Sequence, residues 1–200
     1  LVAAAVRKNG GTVTGTDGID RRAGNFRALG ERIRARGADG VFFGGSTQSR
    51  AVQVLEDIAA RAPGIRVFGP DAVAVPDFAK DIGAGLGRRT HLTSPALANE
   101  ALGPEGRAVL QRYRKRYKRE PSPFVIYGYE SMAVVLDAIE RAGNDAGDRA
   151  AVVREFFKTR NRRSVLGEYS IDPNGDTTLS TYGAYRVRGG ELVYDRALGG

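Results

Sequence analysis

The order of strand and helix signals predicts an α/β protein with a parallel sheet flanked by helices. Three observations carry that expectation. The short apolar run Val41-Phe42-Phe43 has the length and content of a strand covered on both faces, and Ile65-Arg66-Val67-Phe68 reads as the next strand. Between and around them lie stretches with apolar residues at helical spacing, such as Phe26, Leu29 and Ile33. Each strand run ends on turn-forming residues, Gly44-Gly45 and Gly69-Pro70-Asp71. Strands alternating with helices of this size are βαβ units.

Taken in order, a helix tail over 1–9 precedes a strand near Thr12–Thr16 and a helix near Asn25–Arg36. A strand at 40–43, a helix over about 48–61 and a strand at 65–68 follow. A short helix near Asp77–Ile82 leads through a flexible Gly83–Gly87 loop to a strand near His91–Ser94. After Pro95 the pattern changes. Pro104 suits the first position of a helix running to about Lys118, which Glu120-Pro121-Ser122-Pro123 ends. A second helix covers about 124–142, with Val125, Tyr129, Met132, Leu136 and Ile139 as its expected buried stripe, and a third lies near Asp148–Lys158. This block carries no strand of its own, so its apolar faces need a partner elsewhere. The end returns to β structure at Tyr169–Ile171, Tyr182–Val187 and Leu192–Tyr194, with a hairpin turn at Arg188-Gly189-Gly190.

Two hundred residues with 42% hydrophobic content can bury a core. No run of 18 apolar residues is present to span a membrane as a helix. Leu1–Val6 is short, lacks a basic start and runs into Arg7-Lys8, so it reads as a helix tail and the chain as a piece of a longer protein. Cysteine is absent, which excludes disulfides, thiolate metal sites and cysteine nucleophiles. One histidine, His91, cannot supply a histidine cluster, and its place in a strand fits a structural role.

The net charge of +8 raises the question of nucleic acid. Seven basic residues fall between Arg107 and Arg119 with no acid among them, but Val109, Leu110, Tyr113 and Tyr117 recur through the same segment at helical spacing. A helix with a buried stripe and a solvated basic face accounts for both, and no nucleic-acid-binding signature accompanies the charge. No phosphate-binding glycine loop, nucleophile elbow or paired carboxylates stand out, so nothing marks an enzyme and no cofactor or metal is called for. Asp172-Pro173-Asn174-Gly175-Asp176 has the glycine in the wrong register for a calcium loop and reads as a tight turn.

The candidate site follows from the strand ends. In open parallel sheets ligands sit outside the carboxyl ends of the strands. Ser46, Thr47 and Gln48 open the helix after one strand, where unpaired N–H groups and hydroxyls suit an anion or a polar oxygen. Asp71, after the next strand, offers a counter-charge to an ammonium. Together they suggest a small polar ligand carrying both charges, although a strand–Gly-Gly–helix junction also makes an ordinary turn.

Several stretches resemble a known family. Asp17-Gly18-Ile19 with Asn25–Leu29, Ala38–Gly45, Phe68-Gly69-Pro70-Asp71, Tyr127–Met132 and Ile171–Asp176 are similar, in order and spacing, to the C-terminal part of type I periplasmic binding proteins, in particular the branched-chain amino-acid (Leu/Ile/Val) substrate-binding proteins of ABC transporters. The resemblance implies two Rossmann-like lobes that close on a solute, with most of the N-terminal lobe outside this chain. It implies that 1–95 and 166–200 form the second lobe, and that the helical segment 96–165 packs on the first. It further implies an extracytoplasmic solute-binding component of an ABC importer. The ligand would be a branched-chain amino acid or a related carboxylate solute, and the partner a membrane permease. The location would be periplasmic or extracellular, with lipid anchoring ahead of Leu1 as one arrangement. A ligand-sensing domain of a receptor or regulator shares the fold and stays open as the alternative. By the same resemblance Ser46 takes a place that is often aromatic, and Asp71 the place of a usually longer glutamate that binds the ligand's ammonium. Without the first lobe, the helices would be expected to pair two copies of the chain or to pack on one another.

Overall fold

The computed structural model describes residues 1–199. The chain divides into two compact units. The first holds Leu1–Ser94 and Ala184–Arg196, and the second holds Pro95–Gly183 with the last residues from Ala197.

In the first unit, strands β1 (Gly40–Phe42), β2 (Arg66–Gly69) and β3 (Thr90–Ser94) are parallel neighbours, with Phe42 in register with Phe68 and Phe68 with His91. Strands β6 (Tyr182–Arg188) and β7 (Glu191–Leu198) extend the sheet, giving the order β1-β2-β3-β6-β7. Helices α2 (Arg27–Ala35), α3 (Ala51–Arg61), α4 (Pro76–Asp81) and α5 (Ala84–Gly87) supply Leu29, Ile33, Val54, Leu55, Ile58, Phe78, Ala79, Ile82 and Leu86 to one core with Val67, Leu92 and Val187 of the sheet. The sheet is an α/β layer as its sequence pattern predicts, with one departure. Residues along β2 alternate between exposed and buried, and Phe42 and Phe68 stay exposed on the opposite face. Among the described residues, β2 has one face covered and one open.

Two local expectations in this unit need correction. Residues 11–20 form no strand. Thr12, Thr14 and Thr16 alternate correctly, but a strand exists only where a neighbour completes its hydrogen bonds, and β1 is the edge of the sheet. Gly83–Gly87 is no loose loop. Leu86 is buried, and Leu86 N–H and Gly87 N–H both donate to the Gly83 carbonyl, closing the short α5. Glu56 accepts from Gly83 N–H at 2.9 Å and fixes the entry to it.

The second unit contains α6 (Pro104–Tyr117), α7 (Val125–Ala142) and α8 (Arg149–Phe157), then a small antiparallel hairpin of β4 (Arg162–Ser164) and β5 (Gly167–Tyr169). The block therefore ends in strands of its own, which the sequence reading did not foresee for residues 162–164. Val109 and Leu110 of α6 are buried with Leu102 and Ile126, and the basic residues around them lie on the outside, the solvated face expected; Tyr117, though, is exposed. Helix α7 buries Ile126, Glu130, Val134 and Ala138, not the expected stripe. Tyr129, Met132, Leu136 and Ile139 are exposed. Residues at i, i+4, i+8 and i+12 share a face, and Ala138 and the facing Ala151, both without bulk, are buried where α7 and α8 pack. Residues 172–176 form the expected turn: Asp172 Oδ1 accepts from the N–H groups of Asn174 and Asp176, at 2.8 and 2.9 Å.

Candidate solute-binding edge

The parallel register of β1 and β2 decides where the candidate residues go. Both strands run the same way and end side by side, tied by a hydrogen bond from Phe43 N–H to the Phe68 carbonyl at 2.8 Å. Ser46 follows the first strand and Asp71 the second, so both stand at the carboxyl edge of the sheet. The chain does not pass from Gly44-Gly45 straight into α3. Thr47–Ser49 form one 3₁₀ turn with Ser46 as its extended N-cap, closed by Ser49 N–H to the Ser46 carbonyl and Arg50 N–H to the Thr47 carbonyl. Helix α3 begins only at Ala51, so Ser46, Thr47 and Gln48 belong to this preceding turn and not to the helix N-terminus. That corrects the anion-at-a-helix-start argument: the polar groups available are side chains and the main chain of a tight turn. Asp71 opens a second 3₁₀ turn, Asp71–Val73, anchored by Val73, which is buried.

Ser46 and Asp71 are half-buried, and Thr47 and Gln48 are exposed. Among the described residues, no side-chain hydrogen bond or ion pair engages any of the four. They contrast with three other carboxylates of the same unit. Asp57 accepts from Phe26 N–H, Glu56 from Gly83 N–H, and Asp17 binds Arg32 and Arg36, whose hydrogen bonds hold its carboxyl below the usual range. The edge thus combines an uncommitted carboxylate with two hydroxyls and an amide on the adjacent turn. Such a set can neutralise a cationic amine and donate to a polar oxygen.

His91 is occupied structurally. Its ring stacks on Phe68 with centroids 5.1 Å apart, and Arg186 lies 2.8 Å from Nε2. Burial, then the Arg186 charge, push its pKa below the ordinary histidine value, which keeps the ring neutral and able to accept from the guanidinium.

The second unit has a polar centre that periodicity does not reveal. Glu130, 4% exposed, accepts from Arg162 Nε at 2.6 Å and from the Tyr169 hydroxyl at 2.9 Å, while Arg162 also reaches Asp137. Burial, reinforced by the Glu130 carboxylate, pushes the Tyr169 phenol up to about 12. A cavity of about 420 Å³ adjoins this centre, lined among others by Glu105, Tyr129, Arg162 and Glu168. Its buried acid and guanidinium already satisfy each other, so the centre acts as structure. A glutamate at a helix position facing a later arginine is the only sequence signal for it. Among the described residues no cluster of acids or histidine could hold a metal ion.

A model of the periplasmic binding protein family matches residues 1–191. An amino acid binding protein of Pseudomonas aeruginosa is 28% identical over 169 residues, which cover 84% of this chain and 44% of that protein. A Leu/Ile/Val-binding protein homolog of Brucella abortus is 25% identical over 178 residues, 88% of this chain and 45% of that protein. The crystal structure of a leucine binding protein from Thermotoga maritima superposes with a TM-score of 0.80 at 22% identity, over 96% of this chain and 53% of that one. The chain spans about half the length of the relatives it matches.

Proposed function

We propose, for a chain that belongs to the periplasmic binding protein family, that it forms one wall of a solute site and serves as the extracytoplasmic binding component of an ABC importer. The observation that carries the reading is the pairing of an uncommitted Asp71 with the Ser46–Gln48 turn at the carboxyl edge of adjacent parallel strands. The ligand is a branched-chain amino acid or a related amino-acid-like or carboxylate solute, in keeping with the names of the relatives. Asp71 faces the solute's ammonium. Ser46, Thr47 and Gln48 meet its polar or apolar flank, and a serine in place of an aromatic ring leaves room there. The remaining polar contacts come from a second wall, since this chain spans about half of its relatives. The helical second unit, with Met132, Leu136 and Ile139 exposed, packs against that other lobe. Binding and release, with delivery to a permease, is the whole of the chemistry; no bond is made or broken.

The test is a thermal-shift screen of the twenty amino acids and small carboxylates on the intact protein. A ligand at 100 times its Kd adds about 2.7 kcal/mol of stability, so Leu, Ile, Val or a close relative is expected to raise Tm by several degrees. A flat response across amino acids and carboxylates alike would refute the reading.

A further inference from the structure

We propose that Arg50 is a positioning residue for the solute edge, holding the irregular segment 21–26 and the Ser46–Ser49 turn in one fixed arrangement. The proposal rests on the reading of that edge given above. Arg50 has φ 58°, the left-handed backbone region that suits glycine and asparagine and is strained for arginine. Two other side-chain-bearing residues share it. Lys118 caps the end of α6, a usual place for that conformation, and Asn161 is of a type that tolerates it. Arg50 instead sits where the 3₁₀ turn reverses into α3, and it is the end of one element and the cap of the next. Strain held at such a joint calls for a compensating contact.

The contacts are present. Arg50 Nη1 donates to the carbonyl of Arg21 at 3.1 Å and to that of Ala23. Its Nε and Nη2 both donate to Gln53 Oε1, and Gln53 Nε2 donates in turn to the Gly24 carbonyl at 3.2 Å. The guanidinium carbon stands 5.3 Å from the centre of the Phe26 ring. One turn further along α3, Asp57 accepts from Phe26 N–H at 2.8 Å. Arg50, Gln53 and Asp57 thus form a polar ladder on successive turns, grasping a segment that has no helix or strand of its own. The same Arg50 closes the solute-edge turn through its main chain, N–H to the Thr47 carbonyl at 3.1 Å. One residue therefore couples two segments: its side chain, anchored on residues 21–24, holds in place the backbone that closes the turn bearing Ser46, Thr47 and Gln48. The planar fork reaches two carbonyls from Nη1 and the Gln53 amide oxygen from Nε and Nη2; a lysine, with its three donors on one nitrogen, does not span acceptors on both edges.

Hydrogen–deuterium exchange resolved by segment tests this in the protein and in its Arg50→Asn, Arg50→Lys and Gln53→Ala variants. Asparagine accepts the left-handed backbone but removes the fork, so α3 stays folded. Exchange in both 21–26 and 46–50 is expected to rise about tenfold in Arg50→Asn, the equivalent of one charge-assisted hydrogen bond, and less in Gln53→Ala. Amides of β2 and β3 should not change. Arg50→Lys should resemble Arg50→Asn. A rise confined to 21–26 would overturn the proposal, because Arg50 would then only pack a loop. So would full protection in Arg50→Lys, which would make the charge and not the fork responsible. Titration with L-leucine, L-isoleucine and L-valine adds a second readout: a Kd weakened about tenfold in Arg50→Asn at unchanged Tm supports positioning, and an unchanged Kd overturns it. If the unsubstituted protein binds none of the three, the ligand reading has failed, and the exchange result still decides the role of Arg50.

Discussion

The two units of this chain are held together by different physics. The first is an apolar layer: Val54, Leu55, Ile58, Val67, Phe78 and Leu92 are each at most 2% exposed and meet between helices and sheet. At its strand ends Ser46, Thr47, Gln48 and Asp71 make no side-chain hydrogen bond or ion pair among the described residues, and they are half-buried or exposed. The second unit turns its helix α7 the other way around. It buries Glu130 against Arg162 and Tyr169 and leaves Met132 and Leu136 more than half exposed. The difference teaches that apolar spacing alone does not locate the buried face of a helix. In α7 satisfied polar groups and small residues decide which face turns in.

Substitutions in both units put the contrast under strain. The largest effect is expected from Glu130→Ala, which strands the Arg162 guanidinium at a mostly buried position and should cost about 3–5 kcal/mol. Urea denaturation followed by circular dichroism, with exchange by segment to assign the unit, checks it; the loss should fall on residues 95–183. Leu55→Ala, a cavity in the first unit, should cost about 2–5 kcal/mol and leave exchange around Glu130 untouched. A loss shared equally by both units in either variant would remove the contrast. Tyr169→Phe deletes one of Glu130's two donors and should cost about 1–3 kcal/mol.

The same tyrosine gives a pH signature. Its pKa rises from 10.0 to about 12 on folding, so the neutral phenol is the form the folded state favours. Its contribution is complete below about pH 10 and is lost as pH climbs through about 12. Stability measured over that range should fall less steeply in Tyr169→Phe than in the unsubstituted protein. The smallest effect belongs to Leu136→Gln, on the exposed face of α7. It should stay within about 0.5 kcal/mol in this chain; a larger cost would mean that the face is buried, for example between two copies, as sedimentation would then reveal.

Much of the first unit was legible in the residues. Val41–Phe43 and Ile65–Phe68 mark their strands because short stretches rich in β-branched and aromatic residues and ended by glycine have few other uses, and parallel pairing then puts Ser46 and Asp71 on one edge. The features that escaped depend on contacts distant in sequence. Thr12–Thr16 has strand composition but no neighbour to bond. The true inward face of α7 is set by Arg162, 32 positions after Glu130. The left-handed turn at Arg50 is invisible because an arginine gives no sign of that backbone. Gln53 and Asp57, spaced from it at helical intervals, read as surface until segment 21–26 is seen against them.

The central claim is that Asp71 meets the ammonium of a bound amino acid. Isothermal titration of the intact protein with L-leucine, L-isoleucine and L-valine, repeated on Asp71→Ala, tests it directly. Removing the partner of a desolvated ammonium should weaken binding by about 2–5 kcal/mol, while the melting temperature without ligand hardly moves, since among the described residues nothing makes a hydrogen bond or ion pair with this carboxylate. Equal affinity in the two proteins would contradict the account and move the ammonium site away from this edge.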